Sequence, residues 1–81
     1  MKTVEITFQK TNTIVNCPVC NKKHTHREEV EESHDMRTIV THYYEGLEIL
    51  GIHDPAFKND VMPEADLKVI TPAYVFFLKH N

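Results

Sequence analysis

Residues 17–34, CPVCNKKHTHREEVEESH, hold only two large apolar side chains, Val19 and Val30. A segment so poor in buriable surface cannot be ordered by hydrophobic burial, so something else must order it. The chain also lacks any run approaching the roughly 20 apolar residues of a membrane span. Its first ten residues, MKTVEITFQK, alternate like a strand instead of forming the apolar block of a signal peptide. No membrane partner and a cytoplasmic location are therefore expected, in a bacterial or infected host cell. In that compartment a Cys-x-x-Cys pair is metal-bound or reactive rather than disulfide-bonded. No catalytic constellation is legible. Glu28, Glu29, Glu31 and Glu32 read as a solvated face beside a chelating loop, and no enzymatic activity is expected.

What the segment does contain is both cysteines of the chain and three of its six histidines. Cys17 and Cys20 have the spacing at which a tight turn brings two thiolates onto one ion, and Pro18 pre-sets the backbone of such a turn. Thiolate with imidazole selects zinc over magnesium or calcium. Two further ligands are needed, and His24, His26 and His34 oversupply them. His24 and His26 point to the same side of an extended strand. His34 lies close to the interval of a two-Cys, two-His finger, but the second histidine of that pattern is replaced by Thr38, Ile39 and Val40. The expected ligands are Cys17, Cys20, His24 and His34, with His26 the alternative for either histidine place. With four protein ligands the site is closed and structural.

A second chemistry for CPVC is thiol–disulfide exchange. A Cys-Pro-x-Cys pair after a short N-terminal strand resembles the glutaredoxins, whose first cysteine is a nucleophilic thiolate at a helix start. The helix that follows in that family needs an apolar face, whereas NKKHTHREEV offers only Val30. The glycine pair and Val-Pro turn that cradle glutathione are missing as well, since Gly46 and Gly51 lie elsewhere.

Eighty-one residues make one domain, 1–81, of a size whose core supplies only about 3–5 kcal/mol and for which a metal staple is common. The net charge of −3 conceals an asymmetry. Residues 1–27 carry five bases against one acid, and residues 28–81 carry four bases against eleven acids. Lys22, Lys23 and Arg27 dominate the field beside a neutral zinc–dithiolate site, which makes a nucleic-acid-binding finger the leading alternative to protein binding.

The framework reads as α+β. Val4, Ile6 and Phe8 alternate with polar residues, and Ile14 and Val15 resume after the turn-like QKTN, which predicts a β-hairpin leading into the cysteine turn and a metal-binding part over 1–34. Residues 35–81 read as mainly helical. Met36, Ile39, Val40, Tyr43, Leu47 and Leu50 fall at three-to-four spacing and predict an amphipathic helix over about 34–50, capped by Ser33 or Asp35 and stopped at Gly51. Asp54 and Pro55 open a short helical turn. At the C-terminus, Thr71-Pro72 gives a helix-start signature, while the β-rich Tyr74, Val75, Phe76 and Phe77 favour a buried strand, so helix and strand both stand. Either this run fills the monomer's core, or part of it (Tyr74, Phe76, Phe77 and Leu78) is left for a homodimer or a target protein. His42 and His53 read as ordinary surface histidines.

Cys17-Pro18-Val19-Cys20, then His24-Thr25-His26, then His34, is similar to the CPxC…HxH…H zinc-finger segments of many small phage and prophage proteins. The likeness covers about eighteen residues. It departs from those segments where Asn21 and Arg27 replace glycines and Asp35 replaces a cysteine. It implies a small accessory or regulatory protein that touches a host or phage macromolecule. Together these features point to a non-enzymatic, zinc-stabilised protein-interaction module.

Overall fold

A computed structural model describes residues 3–7 and 13–81. Phe8 and the QKTN turn of the expected hairpin lie outside the described residues. Six strands, β1 (Val4–Thr7), β2 (His26–Glu32), β3 (Thr38–Tyr44), β4 (Leu47–His53), β5 (Leu67–Ile70) and β6 (Val75–His80), form one sheet. Their order across it is β1-β5-β6-β4-β3-β2. β1 runs parallel to β5 and every other neighbouring pair is antiparallel. No α-helix occurs among the described residues, whose one helical element is a 3-10 turn, Pro55–Phe57. Asp54 caps that turn, its side chain accepting from the Ala56 N–H at 2.9 Å.

The α+β expectation is thus corrected to a nearly all-β architecture. The predicted helix over 34–50 is a strand, a turn and a strand. Seven consecutive residues, Thr38 to Tyr44, are β-branched, aromatic or histidine, a composition that fits a pleated surface better than a helix. Tyr44 and Leu47 pair directly across Glu45 and Gly46, and Gly46 supplies the left-handed backbone, φ 76°, that lets the chain reverse. The three-to-four stripe is a coincidence of that reversal. Its members Met36, Ile39, Val40 and Tyr43 are exposed, while burial follows strand parity through His42, Tyr44 and Leu47.

The N-terminal hairpin is corrected too. β1 pairs with β5, and Ile14 instead forms an isolated antiparallel bridge with His24. Main-chain bonds in both directions at 2.9 and 2.8 Å close a loop around the cysteines.

The apolar run after Pro72 is explained by position in the sheet. β6 lies between β4 and β5, and both of its faces are covered, so it needs apolar residues at every position. Phe76 and Leu78 join Leu67, Val69, Leu47 and Tyr44 under Ile14 and Cys17 on one face. Val75 and Phe77 join Ala65 under Met62, Leu50 and Ile70 on the other. Phe76, Phe77 and Leu78 are 0% exposed and fill the core, which leaves only the half-buried Tyr74 of that group accessible. Lys68 is buried on the second face, where its ammonium donates to the carbonyls of Lys58 and Asp60 and ties down the segment that covers it.

β2 and β3 form a ribbon that joins the rest of the sheet only through Tyr44 and Leu47 at its base. His26, Glu28, Val30 and Glu32 pair with Tyr44, His42, Val40 and Thr38 on its inner face. β2 is an edge strand, and its four glutamates oppose edge-to-edge pairing with other chains.

At the ribbon's tip, Met36 closes the turn with a left-handed backbone, φ 59°, and a side chain 95% exposed. That conformation costs a non-glycine residue about 1–2 kcal/mol, with no packing here to offset it. Met36→Gly is expected to raise stability by about 0.5–1 kcal/mol in denaturant unfolding. An unchanged or lowered midpoint would contradict the assigned turn.

Candidate metal centre

The nested loop between Ile14 and His24 builds the first half of the site. Cys17 carbonyl accepts from the Asn21 N–H at 2.8 Å, and the Cys17 N–H donates to the Lys22 carbonyl at 3.1 Å. Asn21 takes φ 60°, a left-handed backbone that asparagine tolerates better than most residues. The turn presents both sulfurs on one side. The second half comes from opposite ends of the fold. His24 follows the loop, and His80 closes β6, on the face that also carries Phe76 and Leu78.

Cys17, Cys20, His24 and His80 place their four ligand atoms within 4.8 Å of one another. Cys20 Sγ lies 3.1 Å from His24 Nε2, and Cys17 Sγ lies 3.4 Å from His80 Nε2. On a tetrahedral zinc, bonds of about 2.0–2.3 Å put donors roughly 3.3–3.8 Å apart; the 3.4 Å pair falls in that range and the 3.1 Å pair just below it. Both imidazoles are oriented from behind. His24 Nδ1 donates to the Glu45 carbonyl at 2.7 Å, and His80 Nδ1 donates to Asp66 Oδ1 at 2.8 Å. Each ring therefore carries its proton on Nδ1 and turns a bare Nε2 inward, the arrangement that metal-ligating histidines require. Asp66 is itself held, since its other oxygen accepts from the His80 backbone N–H at 3.0 Å.

The electrostatics divide the two thiols. Burial pushes the Cys17 thiol up, partly offset by the Val19 and Cys20 backbone N–H groups, and the Cys20 sulfur raises it further. For Cys20, desolvation is outweighed by the Lys22 backbone N–H and by the neighbouring His24, Cys17 and His80 side chains, which bring it down to about 6. For His80, desolvation is outweighed by the Asp66 carboxylate and by Cys20, so its ring is more basic than an ordinary histidine and a better ligand for it. The glutaredoxin-like alternative meets the opposite arrangement. Its first cysteine needs exposure and a depressed pKa, but Cys17 is 0% exposed and shifted upward, and no helix follows Cys20.

The structure brings together three of the expected ligands, Cys17, Cys20 and His24. His34 sits exposed in the turn between β2 and β3 and is not in the group. His26 opens β2, where it belongs to a second group with Glu28 and His42. Desolvation and the neighbouring His42 lower its pKa, against Glu28. His42 is buried, contrary to its surface reading. The ligand not anticipated from the sequence is His80, 63 residues after Cys17. No spacing rule reaches that far; the available signal was parity, because residues 76, 78 and 80 share a face once the run is read as a strand. The basic residues are dispersed. Lys22 rims the knuckle, while Arg27 lies on the outer face of the ribbon, 3.0 Å from Glu29 and over the Tyr43 ring.

No protein-family model, curated protein or solved structure matches the chain. No helix among the described residues is long and apolar enough to cross a membrane.

His80→Ala is expected to abolish stoichiometric zinc binding, whereas His34→Ala leaves it unchanged. Asp66→Ala should weaken affinity by roughly 10- to 100-fold through loss of ring orientation. Gly46→Ala should weaken it too, because the added Cβ would lie 3.2 Å from His24 Nδ1 and at a strained φ. Competition against a chromophoric chelator measures all four. Zinc loss in His34→Ala with retention in His80→Ala would refute this ligand set.

Proposed function

We propose that this chain is a non-enzymatic, zinc-stabilised protein-interaction module in which the ion fastens the knuckle to the last strand and the β2–β3 ribbon is offered to a protein partner. The observation that carries the zinc reading is the pair of histidines held with Nε2 inward by Glu45 and Asp66, opposite two free cysteine sulfurs. Four protein ligands leave no position for a reacting water, which favours a structural over a catalytic ion. Zinc bound in this way contributes on the order of 10–16 kcal/mol, more than the core of so small a domain.

The ribbon supports the interaction half of the proposal. Val30, Ile39 and Val40 are exposed there, on a two-stranded unit of the kind that is marginal alone. Its charge, two arginines against four glutamates and Asp35 over residues 26–38, suits a basic protein surface and repels phosphate. That weighs against the alternative of a nucleic-acid-binding finger, as does the engagement of Arg27 by Glu29. The similarity of the knuckle to phage-type segments supports an accessory role on a host macromolecule. Asn21 takes the left-handed backbone at the place where those segments have glycine.

Two measurements test the proposal. Removal of zinc by a strong chelator should collapse the β-sheet circular dichroism spectrum, and zinc should restore it; a chelated protein that keeps its sheet would contradict the structural role. A photo-crosslinking side chain at Ile39, introduced in bacterial cells, is expected to give a discrete protein adduct. Adducts to nucleic acid alone would instead favour the basic knuckle of Lys22, Lys23 and Arg27.

A further inference from the structure

The base of the ribbon carries a second convergence of donors, distinct from the cysteine site. His42 Nδ1 lies 3.1 Å from His26 Nε2 and 3.6 Å from Glu28 Oε1. All three ligand atoms fall within 4.8 Å of one another. Register explains the grouping. Glu28 faces His42 directly across the β2–β3 ladder, and His26 is two residues back on the same inner face. The His42 side chain is 3% exposed, packed against the rings of Tyr74 and Phe76 at 4.7 and 5.3 Å, and cannot turn its nitrogen to bulk water.

Hydrogen bonding accounts for only part of this arrangement. A proton between His26 and His42 satisfies one pair, but at 3.6 Å the Glu28 oxygen is beyond hydrogen-bond range of His42. Both separations do bracket the roughly 3.3 Å between donors sharing a zinc-sized ion. Two imidazoles and a carboxylate are ligands suited to zinc and its neighbours among divalent transition metals. Glu28, whose side chain is 45% exposed, would be the solvent-side ligand.

We infer that His26, Glu28 and His42 form a second divalent transition-metal site, with three protein ligands, that ties β2 to β3 at the root of the ribbon. Because one ligand sits on the buried strand face and two on the edge strand, filling the site cross-links β2 to β3 where the ribbon leaves the body. The cross-link stiffens the ribbon beside its Tyr44–Leu47 junction with the sheet, where His42 already packs on Tyr74 and Phe76. With one ligand fewer than the cysteine site and no thiolate, this site is the weaker of the two. It does not depend on the identity of the first ion.

The test is cobalt titration of the full chain, in which the two sites separate by spectrum. Cobalt held by cysteine sulfurs shows thiolate charge-transfer absorption, and cobalt held by imidazole and carboxylate does not. Wild-type protein already carrying one equivalent of zinc is expected to bind a further equivalent of cobalt without that absorption, and a second equivalent of diamagnetic zinc in its place is expected to shift the imidazole NMR signals of His26 and His42. The signals of exposed His34 and of His53 should stay in place. Glu28→Gln, which alters only the half-exposed ligand, should weaken this second equivalent by about tenfold or more while leaving the first equivalent and the circular dichroism spectrum intact. A stoichiometry of one, or a second equivalent that is indifferent to Glu28→Gln or moves His34 or His53 instead, would overturn the inference.

Discussion

Two sulfurs and two imidazoles converging on one point is the constraint around which the molecule is arranged. The knuckle between Ile14 and His24 has little apolar surface of its own, and only Ile14 and Cys17 of it enter the core. Its attachment to the sheet runs through Cys17 and Cys20 to His80 at the end of β6. The acceptors behind the two histidines come from elsewhere again: Glu45 from the β3–β4 turn and Asp66 from the approach to β5. One donor set thus gathers the loop, a turn and two strands, most of the chain's topology. Loss of any member would release elements far apart in sequence.

The sheet around that point divides into a buried body and an exposed ribbon. β5 and β6 are sandwiched between the knuckle on one face and the segment after the 3-10 turn on the other, with Lys68 holding the latter by its carbonyls. The ribbon has no such cover beyond its root. Stability and availability are therefore assigned to different strands of one sheet. The acidic character of β2 then keeps the exposed edge from pairing indiscriminately.

Three of the four candidate ligands were legible in the sequence because they are local. Cys17, Cys20 and His24 lie within eight residues, in a stretch with nothing greasy to compete for the explanation. The fold was legible only in part. The composition of Tyr74, Val75, Phe76 and Phe77 admits a buried strand, but the residues from Met36 to Leu50 fit a helical stripe until Gly46 is recognised as a chain reversal. A two-residue turn resets strand parity, and a stripe read across it mixes exposed Ile39 and Val40 with buried Leu47. His80 was hidden for a related reason. Its partnership with Cys17 is made by the parallel and antiparallel pairing of β1, β5 and β6, and long-range register of that kind leaves no mark in local spacing.

X-ray absorption at the zinc edge, on protein isolated with one equivalent of zinc, probes the central convergence most directly. The expected first shell is two sulfurs at about 2.3 Å and two imidazole nitrogens at about 2.0–2.1 Å. A shell of nitrogen and oxygen alone, or natively folded protein that takes up no zinc, would contradict the account.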